Sequence, residues 1–286
     1  FTARQSAVTL TTTTRQVKQI THPLAKILGM VYAVLLLVVS LAPHITVLVG
    51  AFSEVWAGTP WPTQMGLDNF RRIYVHALNP LRNSLVLSVT ATLVSLIMGT
   101  MVAYVAVRRK FRGRWLIDML VMMPFVLPGI VVGVALLTSF GAPPFYLSGT
   151  AYILIIAYVI RRMPYIFRSA SGALHGMDPI LEQASGVMGA KLATTFTKVT
   201  LPLITPSVMA AALLTFTTLI GELSTTMMLY SARWKTATVT IYEYLTEDML
   251  GPACAMGTII NVIVLLGVFA ATKLLGQKMS TMFGGA

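Results

Sequence analysis

Apolar residues fall along this chain in long runs separated by short polar connections, and the runs have the length of membrane-crossing helices. The first extends from about Ile27 to Phe52 and contains the block VYAVLLLVVSLAPHITVLVGAF. A second covers about Leu85 to Val107, a third about Leu116 to Phe140, and a fourth begins near Tyr152. A fifth rises from about Ser207 to Tyr230, and the last spans about Ala253 to Leu275. A helix rises about 1.5 Å per residue, so about 20 apolar residues cross about 30 Å of hydrocarbon. Such a helix satisfies its own backbone groups, which lipid cannot do. The pattern predicts an all-α, polytopic membrane protein with six transmembrane helices across residues 27–279, preceded by a polar, Thr-rich tail or linker over residues 1–26.

Composition supports that reading. The chain is 56% hydrophobic and only 10% charged, against about 25% charged in a soluble domain, which leaves too little polar surface for a water-exposed fold. The net charge of +12 raises nucleic-acid binding, but the basic residues sit in short clusters between apolar runs. A nucleic-acid face needs them gathered on one surface with stacking aromatics. The single cysteine, Cys254, excludes an intrachain disulfide and a cysteine-rich metal site.

The basic clusters set the orientation. RRKFRGR after the second run supplies Arg108, Arg109, Lys110, Arg112 and Arg114, and Arg168, Lys191 and Lys198 follow between runs four and five. Arg4, Arg15, Lys18 and Lys26 precede the first run, and Lys273 and Lys278 close the last. The other side holds Arg71, Arg72, Arg82, Arg233 and Lys235. With Arg161 and Arg162 set aside, fourteen basic residues face five. The positive-inside rule places both termini and the 108–114 and 168–198 loops in the cytoplasm, as expected for a multi-pass membrane protein with an even number of spans.

Three charges lie well away from the ends of the apolar runs. Arg161 and Arg162 lie within the fourth, followed by Pro164, and Glu222 lies within the fifth in LIGELSTTMMLY. A lone charge in hydrocarbon is costly, so these groups face the bundle interior, a partner or a wet cavity. Two readings stand: a structural ion pair between Glu222 and Arg161 or Arg162, or a lining for a translocation path. Pro124, Pro128, Gly129 and Gly133 break the regularity of the third run, where a kink is expected for packing or gating.

Between runs four and five lies HGMDPILEQASGVMGAKLATTFTKVTLPLITP. Asp178–Pro179 is a helix-start signal, Gly186 and Gly189 divide the segment, and Leu181, Ala184, Val187 and Met188 form an apolar face. A short amphipathic helix with no lipid to enter docks into another protein. This segment resembles the cytoplasmic signature of ATP-binding-cassette importer permeases. Gln183, Ala184 and Ser185 stand at its E-A-A triplet, with Glu182 immediately before, Gly189 at its glycine, and Val199, Leu201 and Pro202 at its closing element.

The resemblance extends over roughly residues 80–275, including NPLRNSLVLS and PFVLPGIVVG. It implies the type I importer permease fold, with residues 178–202 as a coupling segment seated in a cleft of an ATPase subunit. YVIRRMPYIFRS, GELSTTMMLYS and TVTIYEYL are most similar to permeases for ferric iron; near relatives carry thiamine, polyamines, phosphonates or sulfate. The Arg15–Lys18 leader resembles the linker before the second half of a fused double permease. Implied partners are two ATP-binding-cassette ATPase subunits, a second identical, homologous or fused permease half, a periplasmic substrate-binding protein docking on about Asp68–Tyr74 and Arg233–Asp248, and membrane lipid.

The chain carries no Gly-rich phosphate loop of the GxxxxGK[ST] type and no HExxH, so no cofactor is expected in it, and ATP and Mg2+ belong on the partner ATPase. It is not expected to be an enzyme. His22, His44, His76 and His175 are scattered and read as ordinary polar or interfacial residues. A ferric ion in transit needs hard, anionic oxygen ligands, for which Glu222, Tyr146, Tyr152, Tyr158 and Tyr165 are candidates. The competing readings are an ion-gradient-driven secondary transporter, which often carries repeated spans, a membrane-embedded enzyme, and a structural subunit.

Overall fold

The computed structural model describes residues 23–56, 59–109 and 112–283, with side chains through Lys273. Residues 1–22, His22 among them, and Lys110 lie outside the described residues, as does the side chain of Lys278. The described chain is helical apart from a two-stranded hairpin, β1 (Ser53–Val55) with β2 (Gln64–Met65). It divides at Thr46/Val47, within helix α1 (Pro23–Phe52). The Pro23–Thr46 part is an apolar helix of membrane-crossing hydropathy.

The unit from Val47 onward is built on α3 (Leu78–Arg108), α6 (Ala151–Gly176) and α9 (Leu201–Ile220). The α3–α6 seam is lined by small residues of α3, with Ala91, Ser95, Gly99 and Ala103 buried. A Cβ at Gly99 would stand 3.1 Å from Ile166 Cγ2, so this glycine sets how closely the two helices meet, as small residues do between helices in lipid. Phe167, Leu174, Ile204 and Val208 complete a core between α3, α6 and α9.

α3 and α6 run parallel. At one end Arg108 Nη2 donates to the Met177 carbonyl at 3.3 Å. At the other, Asn83 Nδ2 donates to the carbonyls of Arg233 (3.0 Å) and Lys235 (2.9 Å), and Ser231 Oγ donates to the Gly149 carbonyl (2.9 Å). The chain therefore returns between them through α4 (Arg114–Val126) and α5 (Gly129–Phe140). The third run, in which a kink is expected, is this pair of helices, bent by 107°. The break falls at Leu127–Pro128 and not at Pro124, through which α4 continues. Leu127 is extended (φ −71°, ψ 142°), the conformation that a following proline imposes.

The fifth span also differs from expectation. Helix begins earlier, with α8 (Leu192–Thr195) and a π turn (Phe196–Thr200) running directly into α9. Pro202 has no N–H to give the Lys198 carbonyl, and the ladder widens there, with Leu201 N–H reaching back to the Phe196 carbonyl. Val199, Leu201 and Pro202 are therefore part of this helix. At its far end the helix stops at Gly221, and α10 (Thr226–Leu229), a 3-10 turn (Ala232–Trp234) and α11 (Ala237–Thr246) follow. α12 (Leu250–Phe283) closes the chain, packing on α11, on α9 and on the short α2 (Asp68–His76).

Among the described residues four helical stretches are long and apolar enough to cross a membrane: Pro23–Phe52, Leu78–Arg108, Leu192–Ile220 and Leu250–Lys273. The α4–α5 pair is a fifth. α6 is 26 residues long and carries three arginines, Arg161, Arg162 and Arg168, that lower its hydropathy. The set is compatible with six crossings.

Candidate functional site

Glu222 is not inside a helix, as the sequence suggests, but in the break directly after α9. Non-helical backbone at membrane depth is tolerated only where protein satisfies it, and here it does. The Glu222 carbonyl accepts from Thr226 Oγ1 (2.9 Å) and Thr238 Oγ1 (3.0 Å). The Glu222 carboxylate turns the other way: Oε1 accepts from Ser224 Oγ (2.8 Å), the Thr225 N–H (3.1 Å) and Thr225 Oγ1 (3.2 Å). It thereby caps the start of α10.

Arg161 and Arg162 of α6 both meet this carboxylate. Arg161 Nη1 lies 2.7 Å from Oε1 and Arg162 Nη2 lies 2.7 Å from Oε2. Arg161 Nη1 also donates to Thr225 Oγ1 at 2.7 Å. The Glu222 side chain is 4% exposed, against 12% and 17% for the arginines, whose Nε atoms are themselves buried. Two cations on one anion leave the cluster with a formal charge of +1.

α5 is shaped to this cluster. A Cβ at Gly129 would collide with Ser224 Oγ and stand 2.7 Å from Arg161 Nη1, and one at Gly133 would stand 2.7 Å from Met228 Cβ. The two glycines, one helical turn apart, let α5 lie directly on α10. Sequence reasoning found the three charges but not Ser224, Thr225, Thr226, Thr238 or the role of Gly129. The available signal was the hydroxyl run that follows Gly221–Glu222.

The candidate tyrosines do not converge. Tyr158, buried on α6, shares a hydrogen bond of 2.7 Å with Thr226 Oγ1. The Tyr165 ring centre lies 6.0 Å from Arg162 Cζ. Tyr146 and Tyr152 are exposed elsewhere. Among the described residues no group of three His, Cys, Asp or Glu side chains is placed to hold a metal ion.

The second assembly lies at the Arg108 end. α7 (Ile180–Val187) begins where Asp178 Oδ1 accepts the Ile180 N–H at 2.9 Å. It ends in a Schellman turn, in which Ala190 N–H bonds the Ser185 carbonyl (3.1 Å) and Gly189 N–H the Gly186 carbonyl (2.9 Å). Gly189 has φ +83°, the left-handed region that a side chain disfavours.

Glu182, which stands immediately before the triplet, is turned inward. Its Oε2 lies 3.0 Å from Arg108 Nε, and its Oε1 accepts from Thr200 Oγ1 at 2.6 Å. Ser185 and Thr195 share a hydroxyl hydrogen bond of 3.0 Å. Val199 is half-buried and Leu201 packs against the core. What α7 leaves outside is apolar: Ile180, Leu181, Val187 and Met188 are all exposed, the last two 90% and 88%, with Gln183 and Ala184 beside them. A concavity formed by Leu181, Ala184, Met188, Gly189, Ala190 and Val199 adjoins this face.

A polytopic helical unit with a charged cluster at a mid-chain helix break and a rigid apolar projection at its basic end is a membrane transport component. The chain belongs to the family described as the binding-protein-dependent transport system inner membrane component, which matches residues 91–281. It is 28% identical over 221 residues to the ferric transport system permease protein FbpB of Actinobacillus pleuropneumoniae, covering 76% of this chain and 32% of that protein. It is 27% identical over 254 residues to a putative 2-aminoethylphosphonate transport system permease of Salmonella typhimurium, covering 87% and 96%. A molybdate/tungstate transport permease of Pyrococcus abyssi is 29% identical, over 71% of this chain and 80% of its own. The chain thus spans about a third of the ferric relative and nearly all of the phosphonate one.

Among solved structures, a bacterial alginate importer of the ATP-binding-cassette class superposes with a TM-score of 0.71 at 19% identity, covering 87% of this chain and 96% of that one. The inward-facing MetNI methionine transporter superposes with a TM-score of 0.58, covering 74% and 99%. The fold is that of a type I importer permease.

Proposed function

We propose that the chain is the permease subunit of an ATP-driven importer supplied by a periplasmic binding protein, with its basic end and both termini in the cytoplasm. The observation that carries this is the α7 projection: an apolar face including Val187 and Met188, held by Arg108, Glu182 and Thr200, with no hydrocarbon to cover it. Its occupant is the cleft of an ATPase subunit, where ATP and Mg2+ reside. Closure of two such ATPases would push α7 and, through Glu182–Arg108, the ends of α3 and α6. The 178–202 segment then divides by role: Leu181, Ala184, Val187 and Met188 dock, Gly189 shapes the turn, and Leu201 and Pro202 join the segment to α9. Two permease units, identical, homologous or fused, would alternate access between them. One solved alginate transporter is in complex with a substrate-bound periplasmic protein; here α2 and α11 at the opposite end offer the corresponding surface.

Ferric iron is the first cargo reading, on the likeness of the arginine and Glu222 segments to ferric permeases. A second is favoured by the cluster's charge. A site of formal charge +1 in a low-dielectric interior repels a bare trivalent cation and accommodates an anion. A phosphonate, an oxyanion or an anionic ferric complex fits it better. The test is ATP-dependent uptake into proteoliposomes carrying the complete complex, offered ferric ion, ferric citrate, 2-aminoethylphosphonate and molybdate in parallel. ATP-driven uptake of one solute is expected. Uptake driven by an ion gradient without ATP would overturn the importer reading; uptake of bare ferric ion alone would overturn the anionic cargo and keep the importer.

A further inference from the structure

We propose that the cavity between the basic ends of α3, α4 and α6 is a binding site for the headgroup of an anionic phospholipid. The cavity measures about 230 Å³ and is lined by Arg114, Asp118, Arg168, Ser171, Gly172 and His175. Neither Arg114 nor Arg168 is in an ion pair among the described residues. Ser171 Oγ is buried without a hydrogen-bond partner. At Gly172 a Cβ would meet no atom within 4 Å, so the wall is open there. The lining offers two guanidinium groups and a hydroxyl donor against a single carboxylate, which is a phosphate-binding set.

The surroundings select a lipid over free phosphate. α4 leaves the cavity with Trp115, Leu116, Met119 and Leu120 all exposed, followed by Met123 one turn further. A tryptophan beside an arginine at the head of an apolar helix face is the pattern of a membrane interface. Basic pockets between membrane helices on the cytoplasmic side bind acidic headgroups, and the exposed face of α4 gives the acyl chains a surface that inorganic phosphate would not use. Asp118 suits phosphatidylglycerol in particular, because its carboxylate accepts hydrogen bonds from the glycerol hydroxyls while the arginines take the phosphate. An occupied cavity ties the start of α4 to the last turns of α6, directly before the Met177 carbonyl held by Arg108.

The test is native mass spectrometry of the full chain, purified with whatever partners accompany it and exchanged into detergent containing phosphatidylglycerol or phosphatidylethanolamine. Phosphatidylglycerol is expected to be retained preferentially. Each arginine near the headgroup contributes about fivefold, so Arg168→Gln should weaken retention about fivefold and the Arg114→Gln/Arg168→Gln pair about 25-fold. Arg82→Gln, exposed at the opposite end, should leave it unchanged. Equal retention of the two lipids, unaltered retention in folded Arg168→Gln, or displacement of the lipid by millimolar inorganic phosphate would each overturn the proposal. If the double variant fails to fold, the headgroup comparison on the unaltered chain and the single variant decide.

Discussion

Glu222 accepts from Arg161, Arg162, Ser224, the Thr225 amide and the Thr225 hydroxyl, so its carboxylate serves both as counter-ion for α6 and as cap for α10. Glu222→Gln offers an amide N–H to a guanidinium that has no acceptor left. Breaking a buried pair by changing one partner costs about 3–5 kcal/mol. The expected outcome is a markedly lower unfolding temperature and a reduced yield of folded protein in detergent; an unchanged unfolding temperature with altered uptake would instead make the cluster a contact for solute. The three charges were legible because charge is rare in an apolar run. The hydroxyls around them were not, since a threonine in a membrane helix usually bonds its own backbone, as Thr215 does with the Ala211 carbonyl. Gly129 was visible as a kink residue, but its contact with Ser224 is far away in sequence and only the fold brings it about.

The projecting element α7 was legible in its start, its glycine and its apolar positions. Its internal supports were not. Arg108 reads as one of several basic loop residues, yet it holds Glu182 and the Met177 carbonyl, a contact that depends on α3 and α6 ending side by side. Met188→Asp changes an 88% exposed side chain with no structural partner, so it should cut ATPase recovery on co-purification about tenfold, equivalent to about 1.4 kcal/mol, while membrane insertion and folding are retained. Gly189→Ala tests the turn: open space surrounds Gly189, and the cost is confined to its left-handed backbone, about 1–2 kcal/mol. A milder loss of ATPase recovery is expected there. Full recovery with both variants would remove α7 from the interface. The third run shows the converse, since Pro128 marked a break in the sequence but nothing local encodes a 107° bend, which follows from the packing of Gly129 and Gly133 on α10.

At the scale of the whole molecule, the apolar runs predicted the rough placement of the long helices, because lipid leaves few other solutions, and the expected six crossings are compatible with the four long apolar helices, the bent pair and α6 among the described residues. They misplaced the bounds of the fifth, where the π turn joins the 178–195 segment to α9 and Gly221 stops the helix early. Cargo is the least legible property: ferric, phosphonate and molybdate/tungstate permeases resemble this chain to similar degrees, and the helical scaffold they share does not depend on the solute. The central claim, that this chain is moved by an ATPase it binds, is tested most directly by purifying it from native membranes in mild detergent and identifying the proteins that accompany it by mass spectrometry. An ATP-binding-cassette ATPase is expected among them, with its recovery cut about tenfold in Met188→Asp. Purification across gentle conditions without any such ATPase, together with solute uptake by the chain under an ion gradient alone, would contradict the claim.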